Sequence, residues 1–392
     1  MTAEQYKEQY DAALMPTYAR FPVALESGRG ATATDMDGRQ YVDFGSGIGV
    51  NSLGYADPEW AAAVAEQAAR LPHVSNLYYQ PVTAAFAAEL CAAAGMRRAF
   101  LCNSGAEANE CAIKLARLYG ARHGGAERCR IVTLRDSFHG RTVTTLAATG
   151  QDGFHTDFQP LTDGFDYAPA GDIKALKAAV TDATCAVMVE CVQGEGGVRP
   201  LDADYLRAVR RLCDERGLLL IDDEVQTGAG RTGKFLACEH AGVTPDVVTM
   251  AKGLGGGLPV GACLCGERLG EGLGAGQHGS TFGGNPVVCA GGRVVLRRLT
   301  RPGFLDEVAE KGAYLRSRLE SMPNVKAVRG LGMMLGAVLE RGTAREAAER
   351  CLEGGLLILT AKTLLRLLPP LTITREEMDR GLAVLETVLK SM

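Results

Sequence analysis

The 392-residue sequence predicts an α/β layer fold with a largely parallel sheet, and three observations predict it. Short apolar runs recur through the middle of the chain at RAFLC (98–102), RIVTL (130–134), CAVMVE (185–190), LLLID (218–222), DVVTM (246–250) and VGACLC (260–265). Segments of helical periodicity, such as Ala106 to Leu118 and Tyr205 to Arg216, lie between several of them, and that alternation is the pattern of stacked βαβ units. The length, at roughly 100–200 residues per domain, leaves room for two or three domains and a large core.

The chain starts MTAEQYKEQYDAALM, polar and acidic, which is neither a signal nor a transit peptide. After the strand–helix alternation the pattern turns helical from Pro286 to about Met322, broken at Thr300-Arg301-Pro302-Gly303. Short strands follow in KAVRGLGMMLGAVL and LLRLLPP, then a last helix in REEMDRGLAVLETVLKSM. The expected organisation is a large domain over 58–288 and a smaller α+β domain made of 1–57 with 289–392. No internal repeat or low-complexity tract stands out.

Composition excludes several classes. Hydrophobic content of 46% and charged content of 22% are those of an ordinary soluble globular protein, and a net charge of −4 gives no reason to expect nucleic acid or an acidic membrane as partner. No apolar run approaches the ~18 residues of a membrane span. The 12 cysteines are scattered with no C-x-x-C; the tightest pair, Cys263 and Cys265, shares one face of a strand. They read as small buried hydrophobes in a cytoplasmic, reducing setting, with no structural disulfide and no metal expected.

NSGAEANE (103–110) follows the strand RAFLC and opens a helix on which Ala108, Cys111, Ala112, Leu115, Leu118 and Tyr119 recur at helical spacing. Ser104 with Glu107 three residues on is a capping box, which alone explains the serine. The same strand–Ser-Gly-Ala–helix junction also offers free N–H groups and a positive dipole end to an anion, with Gly105 allowing close approach. GAGRTG (228–233) fits G-x-G-x-x-G, the dinucleotide fingerprint. That reading requires a helix at the last glycines, and RTGKFLACEHAGV carries little apolar face, so a nicotinamide-dependent dehydrogenase is the remote alternative.

Lys252 closes the run PDVVTM within MAKGLGGGLPVGA, where its neighbours offer no solvated face. A snorkelling surface lysine is the bland alternative. A lysine in apolar surroundings has its ammonium disfavoured, and the neutral amine attacks carbonyls to form an imine. An imine beside a bound phosphate points to pyridoxal 5′-phosphate, whose ring nitrogen needs a carboxylate partner to stay protonated. LLLIDDEVQTG supplies Asp222, Asp223 and Glu224; strand alternation sets Asp222 and Glu224 on one face and Asp223 on the other, and spacing alone does not choose between them.

The order NSGAEANE, SFHGRT, VQGEGG, DEVQTGAGRTG, AKGLGGGLPVGA, HGSTFGGNP and LLRLLPP resembles the class III (ω-amino) aminotransferases over nearly the whole chain. The resemblance implies the PLP-dependent transferase fold of type I: a large domain with a mostly parallel seven-stranded sheet, a smaller α+β domain, and a homodimer with active sites at the subunit interface. It implies that Lys252 holds the cofactor and shuttles the proton, Asp223 pairs with the pyridine nitrogen, and Gln226 sits near the ring hydroxyl. Ser104, Gly105 and Ala106 would hold the phosphate, Phe138 would stack on the ring, and Thr281 would reach the phosphate from the neighbouring subunit. A non-catalytic relative would be expected to lack Lys252 or Asp223.

Arginine is the natural reader of carboxylates because its planar fork binds them bidentately. Arg141 and Arg366 are the candidates, and Arg366 shares a face with Leu364 and Leu368 if LLRLL is a strand. The resemblance gives Arg366 the α-carboxylate of glutamate, with Glu195 masking it while the ω-amine donor is bound. Arg141 takes the donor's α-carboxylate and, in the return half, the side-chain carboxylate of 2-oxoglutarate; Tyr18 lines the same end, and Ser280 is a further substrate-side candidate. Gly47 falls where ornithine aminotransferases have a tyrosine, leaving room for an acyl group and favouring N-acetylornithine over free ornithine as the donor. Succinylornithine, acetyl-lysine, N-succinyl-diaminopimelate and, more distantly, 4-aminobutyrate stay open. The sequence departs from the family pattern at Gly54-Tyr55-Ala56-Asp57-Pro58, at Cys191 where proline is usual, and at Asp222.

Overall fold

A computed structural model describes the whole chain, Met1–Met392. Its centre is a seven-stranded sheet built from β1 (Arg98–Cys102), β2 (Arg130–Leu134), β3 (Phe165–Ala168), β4 (Thr184–Val189), β5 (Leu219–Asp223), β6 (Val247–Met250) and β7 (Gly261–Cys265). The order is β1-β7-β6-β5-β4-β2-β3. Only β7 runs against its neighbours, pairing antiparallel with both β1 and β6; the β6–β5–β4–β2–β3 block is parallel throughout. Six of these strands match the apolar runs of the sequence to within about a residue. The seventh, β3 with sequence FDYA, escapes a pattern search because it is four residues long and carries Asp166, which pairs with Arg130 on the neighbouring strand.

The helix α1 (Gly105–Gly124) follows β1 and buries Ala108, Cys111, Ala112, Leu115 and Ala116. α2 (Ala203–Arg216) precedes β5, buries Leu206, Val209 and Leu212, and stops at Gly217 in the left-handed region, the usual C-terminal signal. Helices Pro58–Arg70 and Pro81–Ala94, which sequence periodicity left unassigned, are rich in alanine and bury few large side chains. α3 (Pro286–Leu299) packs against both.

Beyond α3 the chain forms the helix Phe304–Glu320 and then β8 (Val325–Leu331), β9 (Met334–Leu339), β10 (Leu359–Ala361) and β11 (Leu364–Leu367), an antiparallel sheet in the order β8-β9-β11-β10. The register sets Arg366 opposite Gly336 on one side and Leu359 on the other. At the start of the chain, strands 25–29, 32–35 and 40–43 form a small sheet whose last strand pairs in parallel with Leu356–Leu357. The final helix, α4 (Arg375–Lys390), buries Leu382 and Leu385 and carries a full capping box at Thr374. All cysteines but Cys91 and Cys129 are buried. No helix is long and apolar enough to cross a membrane.

Candidate active site

The carboxyl ends of β5 and β6 and the start of α1 meet at one cavity of ≈ 610 Å³. Ligand sites of open α/β sheets lie in this crevice beyond the strand ends. Tyr18, Ser104, Gly105, Ala106, Phe138, Arg141, Asp223, Gln226 and Lys252 all line it. These residues are scattered from position 18 to position 252, and the sheet brings them together.

The register of β5 and β6 sets Asp223 beside Thr249, three residues before the lysine. Asp223 is buried and takes three donors: Asn109 Nδ2 at 2.8 Å, His139 Nδ1 at 2.7 Å and the Val225 N–H at 3.0 Å. Thr249 Oγ1 donates in turn to Asn109 Oδ1 at 2.7 Å. This network fixes one carboxylate on the cavity side of β5. Asp222 and Glu224 project to the other face, where Cys191 donates its thiol to Asp222 and Thr227 donates to Glu224 Oε2 at 2.5 Å. Burial pushes Asp222 up to about 7 and Glu224 well above the usual carboxylate range. Of the three adjacent acids, Asp223 is the one that lines the cavity.

Lys252 opens a tight 3₁₀ turn and holds φ at 47°, in the left-handed region that non-glycine residues visit at a cost of order 1 kcal/mol. Burial lowers its ammonium below the usual lysine range, against the opposing pull of Glu195, Asp223 and Glu190. Burial thus eases loss of its proton relative to an exposed lysine. Glu190, buried beside it, is raised well above the usual range by burial and by the charge of Asp223, and accepts from the Phe138 N–H at 2.9 Å.

At the start of α1, Ser104 Oγ accepts from the Glu107 N–H at 3.2 Å, while Glu107 reaches back to Asn103 N at 2.5 Å, one residue earlier than a capping box prescribes. The cap satisfies Glu107 and leaves the first N–H groups of the helix, at Gly105 and Ala106, facing the cavity. A side chain at Gly105 would bring Cβ within 2.6 Å of Val225, so only glycine keeps this seat open. The donor set fits a phosphate. With a carboxylate held by three donors and an amine whose charge is suppressed, the cavity carries the parts required by a phosphate-bearing aldehyde with a basic ring nitrogen.

Arg366 is buried and pairs with Glu195 at 2.5 Å, and Gln226 Oε1 accepts from the same nitrogen at 3.3 Å. Its Nε has no acceptor. Burial alone would raise Glu195, but the charge and hydrogen bond of Arg366 outweigh it and hold the carboxyl low. Arg141 is exposed, with the rings of Phe138 and Phe154 against its guanidinium. Ser280 and Thr281 line a different cavity, of ≈ 760 Å³, with His73, Tyr78 and Tyr79. Ser280 Oγ accepts from Asn103 Nδ2 at 3.1 Å, so the two cavities adjoin through Asn103. Gly47 is exposed with φ 65°, and a side chain there would lie against Val50, which lines the first cavity.

Asn109, His139 and Glu190 were not singled out from the sequence. Asn109 had a signal: it is a polar residue beside Ala108 and Cys111 on the buried face of α1, four residues after Gly105. His139 lies inside SFHGRT, between Phe138 and Arg141. GAGRTG is a loop followed by the 3₁₀ turn Ala237–Ala241, not a helix. Its Arg231 is buried and donates to the Met333 and Pro369 carbonyls, which excludes a dinucleotide seat at this loop.

The family model Aminotransferase class-III matches residues 14–389. The acetylornithine aminotransferase of Haemophilus ducreyi is 50% identical, covering 100% of both chains. The crystal structure of N-acetylornithine aminotransferase from Stenotrophomonas maltophilia superposes with a TM-score of 0.84 at 39% identity over 95% of this chain and 97% of that one. An ornithine aminotransferase structure from Toxoplasma gondii superposes at 0.95 with 31% identity, over 100% and 96%. Enzymes named for different donors thus share this fold, so the backbone alone does not choose the donor.

Proposed function

The chain belongs to the class-III aminotransferases, which use pyridoxal 5′-phosphate, and we propose that it moves the terminal amino group of N2-acetyl-L-ornithine to 2-oxoglutarate. The products are N-acetyl-L-glutamate 5-semialdehyde and L-glutamate, a step of arginine biosynthesis in the cytoplasm. One observation carries the chemistry: a charge-suppressed lysine and a three-donor carboxylate line the same cavity as an open helix start. The donor rests on the full-length relatives, of which the Haemophilus ducreyi protein is 50% identical.

When bound, the cofactor supplies an electron sink for the carbon that carries the transferred nitrogen. Ser104, Gly105 and Ala106 would hold its phosphate, Asp223 would keep its ring nitrogen protonated, Gln226 would face its ring hydroxyl, and Phe138 would cover its ring. Lys252 Nζ, its proton loosened by burial, would anchor the cofactor and then take and return the proton at the substrate carbon. Asn109 and His139 hold Asp223 in place through their 2.8 and 2.7 Å contacts.

Two arginines let one cavity serve two substrates. The amine donor's α-carboxylate would meet Arg141, with Tyr18 at the same end, while Glu195 keeps Arg366 masked. In the return half the carboxylate next to the oxo group displaces Glu195 and meets Arg366, and the distal carboxylate goes to Arg141. The unfilled Nε of buried Arg366 supports this, because a bidentate carboxylate would satisfy it.

A homodimer would bring Thr281 of the partner subunit to the phosphate and place Ser280 at the shared boundary. It is supported by the apolar rim of the second cavity, where Tyr79 is 106% and Leu77 89% exposed. The chain would divide into a large body, 58–288, and a small one, 1–57 with 289–392, which the pairing of Gln40–Asp43 with Leu356–Leu357 supports. A side-by-side donor panel tests the function: kcat/KM should be highest for N-acetylornithine among it, ornithine, succinylornithine, N-acetyl-lysine, N-succinyl-diaminopimelate and 4-aminobutyrate. Higher values for free ornithine would overturn the donor, and no transfer from any of them would overturn the reaction.

A further inference from the structure

Phe154 makes the closest aromatic approach to the cavity's exposed arginine. The guanidinium carbon of Arg141 lies 4.3 Å from the Phe154 ring centroid and 5.4 Å from that of Phe138. The two rings meet edge to face, 6.0 Å apart at 69°. Nearby arginines are held by acids: Arg135 by Asp152 at 2.7 Å, Arg199 by Asp136 at 3.2 Å, Arg366 by Glu195 at 2.5 Å. Arg141 makes no such ion pair, and what holds it is aromatic. An acid would occupy the N–H edge of the guanidinium and compete with a substrate carboxylate. A ring occupies only a face of the plane and leaves that edge open.

The ring is itself held. Phe154 ends the short 3₁₀ turn Asp152–Phe154. Gln151 donates to the Ser137 carbonyl at 3.0 Å, Arg135 grips Asp152, and His155 Nε2 lies 2.9 and 2.8 Å from the carbonyl oxygens of Leu146 and Thr149. These contacts tie the turn to the loop that carries Phe138 and Arg141.

We propose that Phe154 is a positioning residue for the distal carboxylate of both substrates, holding the Arg141 guanidinium face-on so that its N–H edge points to the cavity. The proposal rests on the reading of Arg141 given above and extends it to a residue that need touch neither substrate nor cofactor. It follows that Phe154 sets the preference for substrates that bear the distal carboxylate.

The test compares two substrate pairs on the holoenzyme. One pair carries the carboxylate, N-acetylornithine and 2-oxoglutarate; the other lacks it, N-acetyl-1,4-diaminobutane and 2-oxobutanoate. In Phe154→Ala, kcat/KM for the first pair should fall about three- to tenfold, mostly through KM, with the second pair unchanged and Phe154→Tyr restoring the parent values. Partial misfolding would lower kcat for every substrate alike and leave the ratio intact. An equal loss on both pairs, or no loss on either, overturns the proposal. Arg141→Gln separates the two claims. If it erases the preference for the distal carboxylate while Phe154→Ala does not, the proposal fails and the Arg141 reading stands; if it leaves the preference intact, the Arg141 reading fails.

Discussion

At Arg366 a buried guanidinium holds Glu195 at 2.5 Å and still has one N–H without an acceptor. Such a site is half-satisfied by design of its neighbours, and a second carboxylate completes it. Removing the side chain therefore costs the half-reaction that uses it. Arg366→Ala should slow the glutamate half-reaction by roughly tenfold to 100-fold, the worth of hydrogen bonds to a charged group, and slow the N-acetylornithine half less. Equal losses in single-turnover measurements of the two halves would contradict it. Lys252 and Arg366 were legible in the sequence because each is a charge set in an apolar run, whereas Asp223 is one of three adjacent acids that only the family resemblance separated. The supporting polar residues were not legible: Asn109 and His139 act through contacts with Asp223 across 114 and 84 positions of chain, a separation that local pattern cannot reveal.

The strand β5 shows what alternation can and cannot predict. It correctly set Asp222 and Glu224 apart from Asp223, but it gave no reason for the extra acid. The structure pairs two of the three departures from the family pattern: the thiol of Cys191 lies 3.4 Å from Asp222 Oδ2. Burial pushes Asp222 up to about 7, against about 3.9 in an unfolded chain. Between about pH 4 and pH 7 the folded chain keeps a proton that the unfolded chain releases, so stability declines as pH rises through that window. The full effect is roughly 2–4 kcal/mol, shared with Glu224. Asp222→Asn should flatten the decline, giving a smaller drop in Tm from pH 5 to pH 8 than the parent at fixed protein and cofactor concentration. Parallel profiles would show that Asp222 does not titrate there. The other strands of the central sheet were legible because their runs are largely apolar; β3 was missed because its outer position admits Asp166, and strands 25–29, 32–35 and 40–43 were missed because they are short and largely polar.

At the scale of the whole molecule, the alternation of strands and helices gave the fold class, but strand order did not follow from it, since apolar runs carry no partner label. The proposed homodimer would complete the site with residues of a second chain. Leu77, Tyr78, Tyr79 and Phe282 are exposed around the cavity that holds Thr281. Light scattering should return twice the 41.4 kDa of one chain. Tyr79→Glu, which sets a charge on that apolar rim, should shift the mass toward one chain and lower activity with it, because Thr281 would no longer reach a partner's phosphate seat. A parent protein of single-chain mass with full activity would refute the shared site.

The proposed transamination rests on Lys252 being the residue that carries the cofactor. Reduction of the purified holoenzyme with borohydride, followed by proteolysis and mass spectrometry, reads that bond directly. The account predicts a pyridoxyl adduct on the Lys252 side chain, with its visible absorbance lost on reduction. An adduct on any other lysine, or none on a protein that retains transaminase activity, would contradict it.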